Sequence, residues 1–259
     1  MATLKIDLYD VYLSVRFELT KHRRRKRIMI AGALAILVPL LLYIGYYLGS
    51  DVSAVDFASG STGFIMLLVI VAGPMFAGDA VSGEFQRKTG LLLFPTPQRR
   101  VSIISGKYIA ALIVTLLLVS LYYVILTFQL IHLFGLSEIP GDLGKSYLVA
   151  VLYASSVVSL FFFFSSVFNK TIASVMVGIF VVLMLLPIIT GILIAVDVEP
   201  WFILSYPAQL VIDVLKEGSG GGFDGEFHPS FGLGVVVMIL YTLAFFLGSA
   251  AIANRKGME

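Results

Sequence analysis

The residues of this chain that could do chemistry are few and scattered. It has three His and no Cys, which excludes disulfides and thiolate metal sites. Asp224, Glu226 and His228 have metal-ligating side chains, but the glycine-rich tract beside them is typical of a flexible loop, which we favour over a metal site. Gly144-Lys145-Ser146 ends like a phosphate-binding loop, but Ile139 stands where that motif needs its first Gly. We therefore expect no catalytic centre, no metal and no nucleotide or other cofactor within this chain.

The most patterned polar stretch is residues 79–107, DAVSGEFQRKTGLLLFPTPQRRVSIISGK, which we name the docking segment. It contains one glutamate, Glu84, and two prolines, Pro95 and Pro97. Its basic residues are Arg87, Lys88, Arg99, Arg100 and Lys107. Long apolar runs flank it on both sides, so both of its ends are held at a membrane. A patterned basic segment in that position suits binding of another macromolecule better than catalysis.

The rest of the chain predicts a single all-α integral membrane domain over residues 1–259. The sequence is 59% hydrophobic and 13% charged, whereas a soluble domain has about 25% charged residues. The six apolar runs are Ile28–Leu48, Thr62–Ala77, Tyr108–Leu133, Leu148–Phe168, Ile172–Val196 and Leu233–Ala253. Most are long enough to cross about 30 Å of hydrocarbon as helices, and the short second run could extend at either end.

The distribution of basic residues predicts which side each connection faces. With the N-terminus inside, 16 of the 18 Lys and Arg residues fall on inner segments, and only Lys145 and Lys216 fall outside. The positive-inside rule therefore places both termini and the docking segment in the cytoplasm, at the cell (plasma) membrane. The longest outer segment, 197–232, precedes the last span. In it we expect one or two short interfacial or re-entrant helices, with Trp201 and Tyr206 at head-group depth.

Residues 4–27 precede the first span and are predicted to form an amphipathic helix and a basic anchor. The apolar residues that share one helical face are Leu4, Leu8, Val11, Tyr12, Val15 and Leu19. Such a helix would lie on the membrane surface, although packing on another subunit is an alternative. The basic cluster at 21–27 is better explained as a topology anchor than as a nucleic-acid site, so no nucleic-acid partner is expected.

Polar residues inside the spans have two explanations. Those that could line a pathway are Tyr122, Tyr123, Thr127 and Gln129 in the third span, and Ser155, Ser156, Ser159, Ser165 and Ser166 in the fourth. They could equally be hydrogen bonds that hold helices together. Pro187 in the fifth span could be a hinge or a static kink. Ionisable groups are nearly absent at mid-depth, which argues against a transporter powered by ion coupling.

The docking segment carries a recognisable series of motifs. They are Gly83-Glu84, Thr89-Gly90, Leu91-Leu92-Leu93, Pro95, Arg99-Arg100, Ile103-Ile104 and Gly106-Lys107. This series resembles the signature of type-2 permeases of ATP-binding cassette (ABC) transporters, and the layout of six spans resembles that family along the whole chain. Two departures stand out. Thr89-Gly90 reverses the usual Gly-Thr order one residue late, and Phe85-Gln86-Arg87-Lys88 replaces a region that is commonly acidic.

The resemblance implies a mechanism. Two permease subunits, identical or related, would form a translocation pathway, and two separate cytoplasmic ATPase subunits would bind ATP and Mg and drive it, most often for export. The residues expected to dock the ATPase or transmit its motion are Glu84, Phe85, Arg87, Lys88, Leu91, Leu92, Phe94, Pro95, Arg99, Arg100 and Lys107. Glu84 is expected to transmit the motion, or to be a carboxylate favoured by a helix N-terminus.

Two other classes of function share the composition. A non-transporting membrane scaffold or sensor subunit would need no docking segment. A membrane enzyme acting on lipids would need clustered His, Asp or Glu, which the sequence lacks. The substrate stays open among lipids, drugs, peptides, ions and polysaccharide.

Overall fold

The computed structural model describes residues 2–49, 53–87, 100–216, 227 and 229–255. Within these residues the chain is helical and contains no strand, which confirms the all-helical fold. The helices are α1 (Ala2–Arg24), α2 (Lys26–Gly49), α3 (Ala54–Phe76), α4 (Ser82–Arg87), α5 (Arg100–Phe134), α6 (Leu143–Val167), α7 (Thr171–Ala195), α8 (Ser205–Ala208), α9 (Leu210–Asp213) and α10 (Phe231–Arg255). Among the described residues six of them, α2, α3, α5, α6, α7 and α10, are long and apolar enough to cross a membrane. The protein is a multi-pass membrane protein.

Two spans extend well beyond their apolar runs. The second span begins at Ala54, not at Thr62, because the Ser53 hydroxyl caps the helix by accepting a hydrogen bond from Asp56 N at 3.2 Å. The third span begins at Arg100, so the end of the docking segment forms the first turns of a 35-residue helix. The C-terminal end of the docking segment, residues 100–107, is thus the start of α5 and continues as one helix into the third span.

The core of the bundle is built around α6. In the most apolar 18-residue stretch of α6, 67% of the residues are buried, against 17% in the corresponding stretches of α2, α7 and α10. Phe161 of α6 is fully buried. A Cβ at Gly73 of α3 or Gly178 of α7 would lie 2.9 Å or 2.6 Å from its ring atoms. Glycine at both positions therefore lets the ring fit between three spans.

Helix α1 packs along the first turns of α5. A Cβ at Gly106 would clash with the Ser14 side chain and lie 3.2 Å from Val11 O, so the two helices touch backbone to backbone. Val11 and Val15 are half-buried in this packing, whereas Leu8 and Tyr12, on the same predicted face, are exposed. The amphipathic surface helix stays a prediction. The exposed large apolar residues of α1 are Leu8, Tyr9, Tyr12, Leu13 and Phe17.

The segment after α7 folds back against the bundle. It contains two short helices, α8 and α9, within the region where one or two were expected. Ser146 Oγ donates a hydrogen bond to Val211 O at 2.6 Å, and Tyr241 OH donates one to Phe202 O at 3.0 Å. Trp201 is half exposed and Tyr206 is buried, and their location at head-group depth stays a prediction.

Candidate functional site

The two flanks of the docking segment, 79–87 and 100–107, lie at the end of the bundle where α2, α5 and α7 begin, which we name the basic end. Residues 77–81 turn the chain out of α3 and into α4. Gly78 makes this turn possible, because a Cβ there would lie 2.6 Å from Pro74 O and 2.8 Å from a methyl group of Val175. The turn is therefore pressed against α3 and α7.

A buried lysine connects three helices at the basic end. Lys107 Nζ of α5 donates to Glu18 Oε1 of α1 at 2.9 Å and also to Glu84 Oε1 of α4. The Lys107 side chain is only 5% exposed. Lys21 Nζ donates to Glu18 at 2.9 Å, so two lysines balance two carboxylates. We name these four residues the Lys107 cluster.

Charge balance decides the ionisation state of this cluster. Burial by itself would raise the pKa of the Glu18 carboxyl, but the charges and hydrogen bonds of Lys107 and Lys21 outweigh burial and lower that pKa below its usual range. Glu18 is therefore ionised at neutral pH. A buried charge without such partners would cost several kcal/mol, so the cluster requires all its helices to stay in place.

A second ionic group joins the start of α2 to the end of α3. Asp79 Oδ2 accepts hydrogen bonds from Arg27 Nη1 at 2.7 Å and Arg25 Nη1 at 3.2 Å. Arg27 Nη1 also donates to Met75 O at 3.1 Å. Two arginines of the predicted topology anchor thus hold the first residue of the docking segment. Arg23, Arg24 and Lys26 stay exposed at this end.

Hydroxyl and amide groups of α6 and α7 complete the attachment. Ser165 Oγ accepts hydrogen bonds from Val81 N at 3.0 Å and Ser82 N at 3.1 Å, which satisfies N–H groups at the start of α4. Ser174 Oγ donates to Gly78 O at 3.0 Å. Gln86 Oε1 accepts from Thr171 N at 3.0 Å. Residues 78–86 are therefore bonded to both α6 and α7.

The structure places the predicted docking residues in two groups. Glu84 points inward to Lys107, and Phe85 is partly buried against the hydrophobic core. Arg87 ends α4 and Arg100 begins α5. The others, Lys88, Leu91, Leu92, Phe94, Pro95 and Arg99, lie outside the described residues. Of the described docking residues, Glu84, Phe85 and Lys107 contact their own chain.

Sequence reasoning missed Glu18, Asp79 and Ser165 as parts of this site. Glu18 and Asp79 are less than 9% exposed. The signal that could have found them is a carboxylate beside apolar residues, since a buried carboxylate needs a basic partner. Ser165 gave no such signal, because a serine in a span usually bonds to its own helix.

The predicted pathway residues mostly hold helices together. Tyr122 OH donates to Ser61 O at 2.9 Å, and Gln129 Nε2 donates to Pro39 O at 2.9 Å. Ser159 pairs with Tyr108 OH at 2.8 Å. Each of these bonds joins two spans, as the second explanation anticipated. The same holds for Ser156, whose Oγ donates to Met238 O at 2.8 Å.

Two of these side chains also lie at a cavity, although Tyr123 OH pairs with Ser146 Oγ of α6 at 2.8 Å as well. Tyr123 and Thr127 line a cavity of about 410 Å³ between α5 and α6. Thr127 Oγ1 and Ser155 Oγ each donate at 2.8 Å to a carbonyl of their own helix, while Ser166 Oγ donates to Phe163 O at 2.7 Å. A translocation pathway along these residues stays a prediction.

Pro187 follows an irregular turn of the fifth span. Val181–Leu185 is π-helical, and Leu186 N donates to Val181 O across it. Proline lacks a backbone N–H, so the helix has a wider turn and a missing donor close together. This irregularity fits either a kink or a hinge, and the hinge stays a prediction.

Metal-ligating side chains do not cluster in the part of the chain that the structure describes. Asp224, Glu226 and His228, the metal candidates of the sequence, lie outside the described residues.

The fold and the site define an all-helical multi-pass membrane protein. Both described flanks of the connection between its second and third spans are bonded to other helices. The chain belongs to the family described as protein of unknown function (DUF2705), whose sequence model matches residues 28–258. That match covers all six spans and the docking segment but begins after α1. A comparison with curated proteins finds no significant match.

Proposed function

We propose that this chain is the permease subunit of an ABC transporter, an exporter, driven by a separate cytoplasmic ATPase that docks on residues 79–107. The motif series of that segment supports the proposal. The observation that carries it is the attachment of both flanks: Lys107 holds α4 to α5 and α1, and Ser165 holds the start of α4 to α6. We call these contacts of Lys107 and Ser165 the clamp. A connection that only joined two spans would not need them.

The clamp explains how motion would pass from an ATPase to the spans. A push on α4 acts on α5 through Glu84 and Lys107, on α6 through Ser165, and on α7 through Gln86. The Ser165 contact is buried and the Glu84 contact is part-buried, whereas the Gln86 contact is exposed. Through the first two contacts α4 would move as one body with the ends of α5 and α6. In this proposal Glu84 transmits motion within the permease, and the segment between α4 and α5 makes the contact with the ATPase.

The orientation in the membrane follows from charge, and the dimer and the ATPase partner follow from the family resemblance. The basic end faces the cytoplasm at the plasma membrane, where exposed Arg23, Arg24 and Lys26 meet anionic head groups. Two copies of the chain, or this chain and a related one, form the pathway. ATP and Mg bind to the partner ATPase.

Co-purification tests this function. The tagged chain is extracted from native membranes in mild detergent, and its partners are identified and quantified by mass spectrometry. The proposal predicts an ABC-type ATPase in about equal amount. Recovery of the chain with only non-ATPase membrane partners would favour the scaffold or sensor function instead.

A charge-reversal variant makes the test specific to the docking segment. We expect Arg87→Glu with Lys88→Glu to lose the ATPase, since the basic rim of the segment becomes acidic. Lys145→Glu, at the opposite end of the bundle, is the matched control and should retain it. Equal recovery of the ATPase with both variants would show that the segment is not where the ATPase binds.

A further inference from the structure

A cavity of about 410 Å³ lies between α5 and α6 on the outside of the bundle. One wall is the stretch of α5 from Ser120 to Ile131, and the other is the start of α6, with Gly144 and Tyr147. Val124, Phe128 and Tyr147 are exposed, so the cavity opens sideways from the bundle. Its volume falls at the lower end of the range of about 300–1,000 Å³ that is typical of small-molecule sites.

The cavity offers a polar ligand no charged group and no uncommitted hydroxyl hydrogen. None of its lining residues is charged. Tyr147 OH and Ser120 Oγ pair at 2.8 Å, and Ser120 Oγ also lies 2.8 Å from Leu116 O. Tyr123 OH pairs with Ser146 Oγ at 2.8 Å. Thr127 Oγ1 already donates to its own helix. Every hydroxyl hydrogen on the wall is thus committed, and the free surface is aliphatic and aromatic.

The cavity has the depth of one leaflet. Its α5 wall runs from Ser120 to Ile131, a rise of about 16 Å at 1.5 Å per residue. The hydrocarbon core of a bilayer is about 30 Å thick, so this wall covers about half of it. Next to the lining residues Leu143 and Gly144 along the chain, the side chains of Asp142 and Lys145 pair at 2.6 Å. A lipid in this leaflet would have its chain beside the wall and its head group near that pair.

We propose that this cavity is a binding site for one acyl chain of a membrane lipid. The commitment of its hydroxyl groups, its leaflet-length wall and its sideways opening all favour a hydrocarbon chain over a polar solute. Because the site depends only on the spans crossing a membrane, it goes beyond the proposed function and stands without it.

Photo-crosslinking in nanodiscs tests the proposal. The full chain is reconstituted with a phospholipid that carries a diazirine on one acyl chain, irradiated and mapped by peptide mass spectrometry. We expect adducts concentrated on the cavity walls around Val124 and Gly144. Val124→Trp should abolish them by filling the cavity. Leu117→Trp is the matched control and should keep them, because Leu117 is exposed on the same helix but does not line the cavity.

A second variant protects the test against misfolding. Gly144 has open space where a Cβ would stand, so Gly144→Leu should fill the cavity from the α6 side without a clash. Loss of the adducts in both cavity variants and retention in the control would support the site. Adducts spread over all exposed faces, or unchanged by either cavity variant, would mean ordinary annular lipid only and would overturn it. If a competing peptide or drug blocks formation of the cavity-wall adduct and unlabelled lipid does not, the choice of ligand is overturned.

Discussion

Replacement of Lys107 by methionine should loosen the basic end of the bundle. Methionine keeps the length of the side chain but leaves Glu84 without its described partner and Glu18 with Lys21 alone. Removing one member of a buried ion pair costs about 3–5 kcal/mol. The lower value is the better estimate here, since Glu18 keeps one lysine and the Glu84 side chain is 15% exposed.

Amide hydrogen exchange measures this effect where it should occur. A loss of about 3 kcal/mol raises the local opening equilibrium by about a hundredfold. Amides in α1 and α4 should therefore exchange about a hundredfold faster in Lys107→Met, while those in the centre of α6 change little. The measurement is made in detergent or nanodiscs at neutral pH, where Glu18 is ionised.

The matched control for this variant is Lys145→Met. Lys145 is paired with Asp142 on an exposed surface, with 63% of its side chain accessible, and such pairs contribute at most about 1 kcal/mol. Its exchange should stay close to that of the unmodified chain. If the amides of α1 and α4 exchange equally slowly in Lys107→Met and in the control, Lys107 does not hold these helices to α5.

Three further predictions concern the same end of the bundle. Gly106→Leu should push α1 away from α5, so that a cysteine introduced at Ser14 reacts faster with maleimide; the chain has no other Cys, and an unchanged rate would contradict the contact. Burial, above the opposing charge of Glu18, lowers the pKa of His22, so packing of α1 should be complete above about pH 6.5 and weaken as pH falls through the lower folded pKa. His22→Gln should remove that pH dependence of exchange. Ser165→Ala should speed exchange in α4 by leaving two buried N–H groups unbonded, at about 1–3 kcal/mol, while Ser155→Ala should not.

The spans were predictable because a membrane crossing depends on composition and length. Their ends were not, because polar residues extend a helix beyond its apolar run. Ser53 caps α3, which begins at Ala54 and not at Thr62, and Arg100 begins α5 within a basic stretch. The packing of α1 on α5 was not predicted, because it depends on Gly106, which lies far from α1 along the chain.

The clamp at the docking segment was beyond sequence reasoning because its partners are distant along the chain. Glu18 and Lys107 are separated by 89 positions, and Ser165 and Val81 by 84. The spacing of residues within one stretch of sequence gives no information about pairs so far apart. The motifs did mark Glu84 and Lys107 as residues that dock the ATPase or transmit its motion, but not as partners of each other. Their burial and mutual contact identify them as an internal link instead.

The most direct test of the central proposal is to ask what touches the docking segment in the membrane. A photo-reactive amino acid is placed at Lys88 in the intact chain, and at Lys145 as the control at the opposite end. After irradiation of native membranes, the proposal predicts an adduct between position 88 and an ABC-type ATPase, and no such adduct from position 145. An adduct with a different class of protein at position 88, or the same ATPase captured from both positions, would contradict it.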